Sequence, residues 1–265
     1  MRTNLQAASE AAKTALPTIH NMKKQINRNR QKVRGHPACR ATCARDVDIP
    51  LPLLDHSDGG PGLSVVADVY TSSGKRVVAI SSGTCRSALN RKHTLVHIDG
   101  TFKTSPKYFT QIWIVSGYVG STCVPLMYIL IEDKTCSSYS KAIEVLKSYC
   151  PDFDSDSFMV DFEKAEHSAI RSHFIDAIIK GCLFHWKQCL NRKFKAVVGY
   201  VDNELLRNDL HTVFGLAFVP VDDVLHGWSL LKPLLMQYPA AAPFIDYFQK
   251  NWLYNRSYPI SMWNC

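Results

Sequence analysis

Apolar and polar positions alternate in three different ways along the chain. Residues 5–33 are rich in Ala, Gln, Lys and Arg and have the composition of an exposed helix, broken once at Pro17. Residues 35–62 turn to Pro, Gly and Asp, and the run DIPLPLLDHSDGGPG reads as a linker. Two β-rich stretches follow at 63–70 and 75–81, separated by the turn residues Ser72, Ser73 and Gly74, and predict a hairpin.

The central segment has a clearer order. Short apolar or alternating runs at 94–98, 108–118 and 122–131 predict three strands in meander order. Ala142, Ile143, Val145 and Leu146 give residues 137–149 a helical period, which Pro151 and Asp152 end. A strand at 157–160, a helix at 163–174, a strand at 177–184 and a helix at 186–198 complete the series. After 198 the pattern is helical, with amphipathic segments at 203–217, 221–235 and 240–253. The resulting βββαβαβα order is that of a mixed α/β fold of RNase H-like type, a sheet with helices on both faces, and order alone leaves it one of a handful of folds. The expected division is a basic helical arm and linker at 1–62, a hairpin lead-in at 63–91, the core at 92–198, and at 199–265 the start of a helical insertion that breaks off early.

Charge sharpens the picture of the arm. The net charge of +8 on 265 residues is concentrated at the front: residues 1–45 hold ten Lys and Arg against the single acid Glu10, while the rest of the chain sums to −1. Lys23, Lys24, Arg28 and Arg30 are the densest part of this arm and are candidates for contacts with DNA phosphates, the alternative being a solvated basic helix. The longest apolar stretches, 112–119 and 124–131, fall far short of the roughly 20 residues needed to span a bilayer. No membrane partner and no secretory leader are expected. Nine scattered cysteines argue for reduced thiols over a disulfide framework. His36, Cys39 and Cys43 lie close together, but three local ligands without a second pair make a weak zinc motif.

Two aspartates stand where strands are expected to end, Asp99 after Leu-Val-His-Ile and Asp161 after Phe-Met-Val. In an RNase H-like sheet the first and fourth strands are neighbours, so these carboxylates are expected to meet. Paired hard oxygen ligands suit Mg²⁺ or Mn²⁺, and a metal pair there would serve phosphodiester chemistry. An isolated Asp at a strand end is otherwise a turn or cap residue. Cys182 and His185 form a C-x-x-H step between strand and helix, with roles ranging from core filler and site-edge support to a zinc half-site. Lys103, Lys107 and Tyr108 follow the first aspartate, and Lys187, Arg192, Lys193 and Lys195 follow the Cys182–His185 step. Both groups are candidates for DNA backbone contacts, with a solvated helix face as the alternative for the second. Trp186 joins that second stripe, whereas Trp113, Tyr118, Tyr128 and Phe184 are expected in the core.

Several ordered blocks resemble one family. HIDGTFKTSPKYFTQIWIVSGYV and VPLMYILIEDKTCSSYSKAIEVL, with Asp99-Gly100-Thr101-Phe102, Pro125-Leu126, Lys134-Thr135 and Tyr139, resemble the opening of the Mutator-like (MULE) transposase domain. MVDFEKAEHSAIRSHF is similar to its second-aspartate block, and GCLFHWKQCLNRK to its Cys-x-x-His segment. LAFVP, YFQKNWL and SMWN are similar to its helical continuation. The resemblance implies a DDE-type DNA transposase that cuts element ends and joins the freed 3′ ends to a target. Asp99 and Asp161 would then be the first two metal-binding acids, with Mg²⁺ or Mn²⁺ as cofactor, DNA and a homo-oligomer as partners, and the nucleus as location. The third acid, a glutamate after the helical insertion, has no convincing counterpart here: Glu163 is too close to Asp161 and Glu204 sits on a separate helix. An incomplete transposase with little activity by itself is expected. The alternatives are a non-catalytic or domesticated DNA-binding fragment and, more remotely, a nuclease for RNA–DNA hybrids.

Overall fold

The computed structural model describes residues 41–49 and 62–264, and the chain divides into two compact units, Met1–Asp48 and Ile49–Cys265. The predicted basic helix, with Lys23, Lys24, Arg28 and Arg30, lies outside the described residues, as do His36 and Cys39. What is described of the first unit is a single 3₁₀ turn, Ala44–Asp46. There the backbone N–H of Thr42 donates to the Asp46 carboxylate at 3.1 Å.

The second unit is a mixed α/β structure built on one seven-stranded sheet, ordered β1-β2-β6-β5-β4-β8-β9. The strands are β1 (Ser64–Tyr70), β2 (Arg76–Ser81), β4 (Val96–Thr101), β5 (Gln111–Val119), β6 (Thr122–Ile131), β8 (Ser157–Val160) and β9 (Ile178–Gly181). The short β3 (Lys92–His93) and β7 (Asp154–Ser155) pair separately. β1 to β6 form antiparallel ladders where they touch, while β8 runs parallel to β4 and β9 parallel to β8. The hairpin expected as a lead-in is thus part of the main sheet, because β2 pairs with β6 from Val77↔Ile131 to Ile80↔Tyr128.

Periodicity explains these elements. In β5 the residues Gln111, Trp113, Val115 and Gly117 are buried and their neighbours less so, the period-two alternation of a strand with one face on the core. In helix α2 (Cys136–Tyr149) Ser138, Tyr139, Ala142, Ile143, Val145 and Leu146 are buried, a helical stripe. Its start is capped by Thr135, whose side chain accepts from the Ser138 N–H. α2 packs against helix α3 (Lys164–His173) and the sheet, around Trp113, Met127, Ile129, Phe158 and Ile170.

A second core begins at helix α4 (Leu183–Phe194), where Trp186, Leu190 and Phe194 are fully buried at four-residue spacing. They pack with Leu210 from α5 (Glu204–Thr212), Trp228 from α6 (Val224–Met236), Phe244 and Phe248 from α7 (Ala242–Phe248), and Trp263 from α8 (Ile260–Trp263). After residue 198 the described chain is helical, as its amphipathic spacing predicts.

Four expectations need correction. The strand placed at 177–184 ends at Gly181, and α4 begins at Leu183, three residues before the expected start. The apolar run spans a strand end and a helix start, which composition cannot separate, and Cys182 is therefore a helix cap residue. β4 continues through Asp99 to Thr101, because Gly100 and Thr101 still pair with Trp113 and Ile112 of β5. A helix at Gly83–Leu89, α1 in chain order, was not anticipated. Finally, Phe184 and Tyr118 are exposed, while Trp186 is buried and so cannot belong to a DNA-facing stripe.

Candidate active site

The sheet changes direction between β4 and β8. From β4 the chain proceeds to β5 on one side, and from β8 it proceeds through α3 to β9 on the other. In open α/β sheets the crevice at the carboxyl ends of such divergent strands is the usual binding place, since no connection crosses it. The parallel register pairs Val96 with Phe158 and His97 with Met159. Continued two residues further, that register sets Asp161 opposite Asp99.

The side chain of His185 joins the two. Its Nε2 lies 3.6 Å from Asp99 Oδ1 and its Nδ1 3.8 Å from Asp161 Oδ1, so the carboxylates flank a single imidazole. Asp99 is the more exposed, at 63% of its side chain against 37% for Asp161. The buried Nδ1 makes no hydrogen bond of regular geometry. The Cys182 thiol beside the ring is the strongest influence holding the imidazole pKa above its ordinary value. Burial opposes it, and the carboxylates of Asp161 and Asp99 reinforce it. For Cys182 itself burial disfavours the thiolate, but contacts with His185 and with the N–H groups of His185 and Phe184 outweigh it and hold the pKa below the usual thiol value. These two residues therefore form an interacting pair at the cap of α4 whose charge distribution favours imidazolium between two aspartates.

The surroundings hold Asp161 and fix its neighbours. Asp161 Oδ1 accepts from the Phe162 N–H at 2.6 Å, and its main-chain carbonyl accepts from His167 Nε2 at 2.6 Å. Glu163 is engaged by Lys134 at 2.7 Å. Glu166, one turn before the buried Ala169 and Ile170, accepts from the Trp113 indole at 2.7 Å. Burial, with Glu163 and Asp161 nearby, pushes its carboxyl pKa up to about 8. Sequence reading missed Glu166, although its spacing to Ala169 and Ile170 was the available signal that it faces inward. Tyr139 is also buried, and its hydroxyl accepts from Gln111 Nε2 at 2.7 Å. Gly181 and Gly100 allow close approach at the two strand ends: a Cβ at Gly181 would meet the Phe162 ring at 2.3 Å, and one at Gly100 would meet Gln111 Oε1 at 2.5 Å.

The candidate DNA-contacting cations lie in the connection from β4 to β5 and on α4. Lys103 is exposed, and exposed Lys107 stands over the Tyr108 ring at 4.6 Å. On α4, Lys187 lies over Phe214 and Phe218, Lys193 lies over Tyr247, and Arg192 donates to Cys189 Sγ at 3.1 Å. Lys187 and Lys193 thus pack onto aromatic rings of the helical layer as well as carrying charge. Glu204 begins α5, within that layer.

Asp99 and Asp161 offer hard oxygen donors, and their exposure leaves room for water to complete a Mg²⁺ or Mn²⁺ shell. Among the described residues no group of three His, Cys, Asp or Glu side chains is arranged to hold a metal. The pair therefore fits two ligands of a hydrated cation, not a protein-only cage, and Cys182 with His185 has no further zinc ligands grouped with it among the described residues. The seven described cysteines are free, and no described helix is long and apolar enough to cross a membrane. Residues 95–189 match the family model of the MULE transposase domain, which covers both aspartates and the Cys182–His185 step and supports the resemblance drawn from the sequence. No curated protein matches the chain.

Proposed function

We propose that this transposase-related chain uses Asp99 and Asp161 to hold Mg²⁺ or Mn²⁺ against a DNA phosphodiester, as the DDE-type reading requires. The observation that carries the proposal is the convergence of both carboxylates on His185 at the point where the sheet's connections diverge. The strand arrangement supports an RNase H-like core: an antiparallel β6-β5-β4 meander extended by β8 and β9 in parallel, with helices between. Divalent metal bound there would activate a water or 3′-hydroxyl and stabilise the leaving oxygen.

The chain's own groups prepare that site. The Phe162 N–H orients Asp161, and Lys134 draws Glu163 away from the pair. His185 lies between the carboxylates, its pKa held above the ordinary value, and when protonated it would offset their mutual repulsion. Lys103 and Lys107, in the connection from β4 to β5, and Arg192, on α4, are exposed and would position the phosphate backbone without reading its sequence. The proposed partner is DNA, at element ends and at the target, with the nucleus as the proposed location, and engaging two ends together would call for a homo-oligomer.

No third carboxylate joins Asp99 and Asp161 among the described residues, with Glu163 paired to Lys134 and Glu166 buried on Trp113. Little strand transfer is therefore expected from this chain alone. The same observation favours the second reading, a DNA-binding module without chemistry. Mn²⁺ binding and metal-dependent nicking of duplex DNA, compared between the protein and its Asp99→Asn and Asp161→Asn variants, test both. Mn²⁺ bound by the parent and lost in the variants supports the site, and absence of Mn²⁺ binding overturns it. Robust strand transfer by the parent overturns the view that the acid set is incomplete.

A further inference from the structure

Phe184, next to His185 in the chain, and Phe102, three residues after Asp99, are both exposed. Phe184 occupies the first turn of α4 and is 65% exposed, although the next aromatics on that helix, Trp186 and Phe194, are completely buried. Its ring meets the edge of His185, centroids 5.3 Å apart at 71°, and His185 is the residue that Asp99 and Asp161 flank. Phe102 follows Asp99 by three residues and is 48% exposed. Its ring folds back towards Gly100, and Lys134 Nζ stands 4.3 Å from its centroid. Exposed large aromatics beside charged groups are the informative kind of exposure, because each leaves apolar area in water that an ordinary core would take up.

We propose that Phe184, assisted by Phe102, is a stacking platform for an unpaired nucleobase next to the carboxylate pair, so that the substrate is a DNA end with an unstacked nucleotide. This rests on the DNA-cleaving reading above. An aromatic face stacks on any base without discriminating among them. Inside a duplex every base face is already covered, so an exposed aromatic face beside the proposed phosphodiester site gains contact only from a base that has left the stack. Lys103, exposed next to Phe102, supplies attraction for the adjoining phosphates. The buried aromatics of α4 fix the helix from its other side, so the platform is presented on a rigid element.

The test uses the full chain with Mn²⁺ and two probes: a duplex carrying 2-aminopurine in an unpaired 3′ tail, and the blunt duplex with 2-aminopurine paired. The expected result is quenching of the tailed probe, lost in Phe184→Ala together with about tenfold of the tailed-probe affinity, while blunt-duplex affinity stays unchanged. Phe184→Tyr restores the quenching. Phe102→Ala gives a smaller loss of the same kind. Unaltered quenching in Phe184→Ala, or equal weakening of both probes, overturns the platform, the second outcome being that of a general surface contact. Binding of both duplexes without quenching overturns the platform and leaves the DNA reading standing. Failure to bind either duplex overturns both. Circular dichroism of each variant confirms that its fold is retained.

Discussion

The indole of Trp186 lies flat on that of Trp263, with centroids 4.9 Å apart and planes 7° from parallel. Trp186 immediately follows His185, and the Trp263 N–H is itself anchored on the Trp252 carbonyl at 3.1 Å. The helical layer therefore holds α4 from behind while the front of the same turn presents His185 to Asp99 and Asp161. Trp263→Ala is expected to cost about 3–5 kcal/mol in urea unfolding, the range for deleting a fully buried indole. It should also broaden the His185 imidazole NMR signals, since the helix carrying them loses its support.

Gly181 ends β9 beneath the Phe162 ring, where a Cβ would stand 2.3 Å from that ring. The methyl of Gly181→Ala can be accommodated only by moving the ring, and with it the segment next to Asp161. A destabilisation of about 1–3 kcal/mol is expected from overpacking, larger than the entropic gain of about 0.4–1 kcal/mol that alanine brings through the unfolded chain. Denaturant midpoints of the two proteins check the sign.

Glu166 makes stability depend on pH. Its ordinary pKa is 4.5, and in the fold burial raises it to about 8. Below the lower value the carboxyl is protonated in both folded and unfolded chains. As pH rises between the two, the unfolded chain releases the proton while the folded chain retains it, so stability falls across that window and the loss is complete above it. Glu166→Gln keeps an acceptor for the Trp113 indole and cannot ionise. Its thermal midpoint should match the parent at acid pH and exceed it increasingly towards pH 8.

Asp99→Asn and Asp161→Asn each remove one charged oxygen ligand from the candidate metal site. Calorimetric titration with Mn²⁺ should show at least about a tenfold loss of affinity in each, with unfolding midpoints little changed because both side chains are substantially exposed. Equal Mn²⁺ affinity in all three proteins would remove the metal from the proposal.

Cys182 is the largest contributor to the raised pKa of His185. Cys182→Ala leaves burial opposed only by the two aspartates, so the imidazole midpoint followed by NMR in metal-free buffer should fall. A midpoint that stays where it was would mean the aspartates, not the thiol, control this ring.

Local order was legible wherever one physical signal dominated. The strands at Thr122–Ile131 and Ser157–Val160 and the helix ending at Tyr149 match their sequence readings, because apolar period and flanking turn residues agree there. The strand expected from 108 begins at Gln111 instead, since Tyr108 adopts a positive φ of 75° that an extended strand does not use. α1 (Gly83–Leu89) escaped notice because its Gly, Thr and Ser content is unhelical. It is held by the Ser82 cap, by Arg86 donating to the Tyr149 carbonyl at 2.8 Å and by burial of Leu89.

The amino-acid order by itself determined the kinds of element, the family resemblance and the two aspartates, because those depend on spacing and on residue chemistry along one line. The neighbouring of the first and fourth strands was already expected; only the tertiary structure decided their register, that His185 stands between the two aspartates, that Glu166 is buried and that Phe184 is not. Those relations join residues far apart in the chain, and they are set by strand pairing and by which face of each helix finds a partner, neither of which a local pattern encodes.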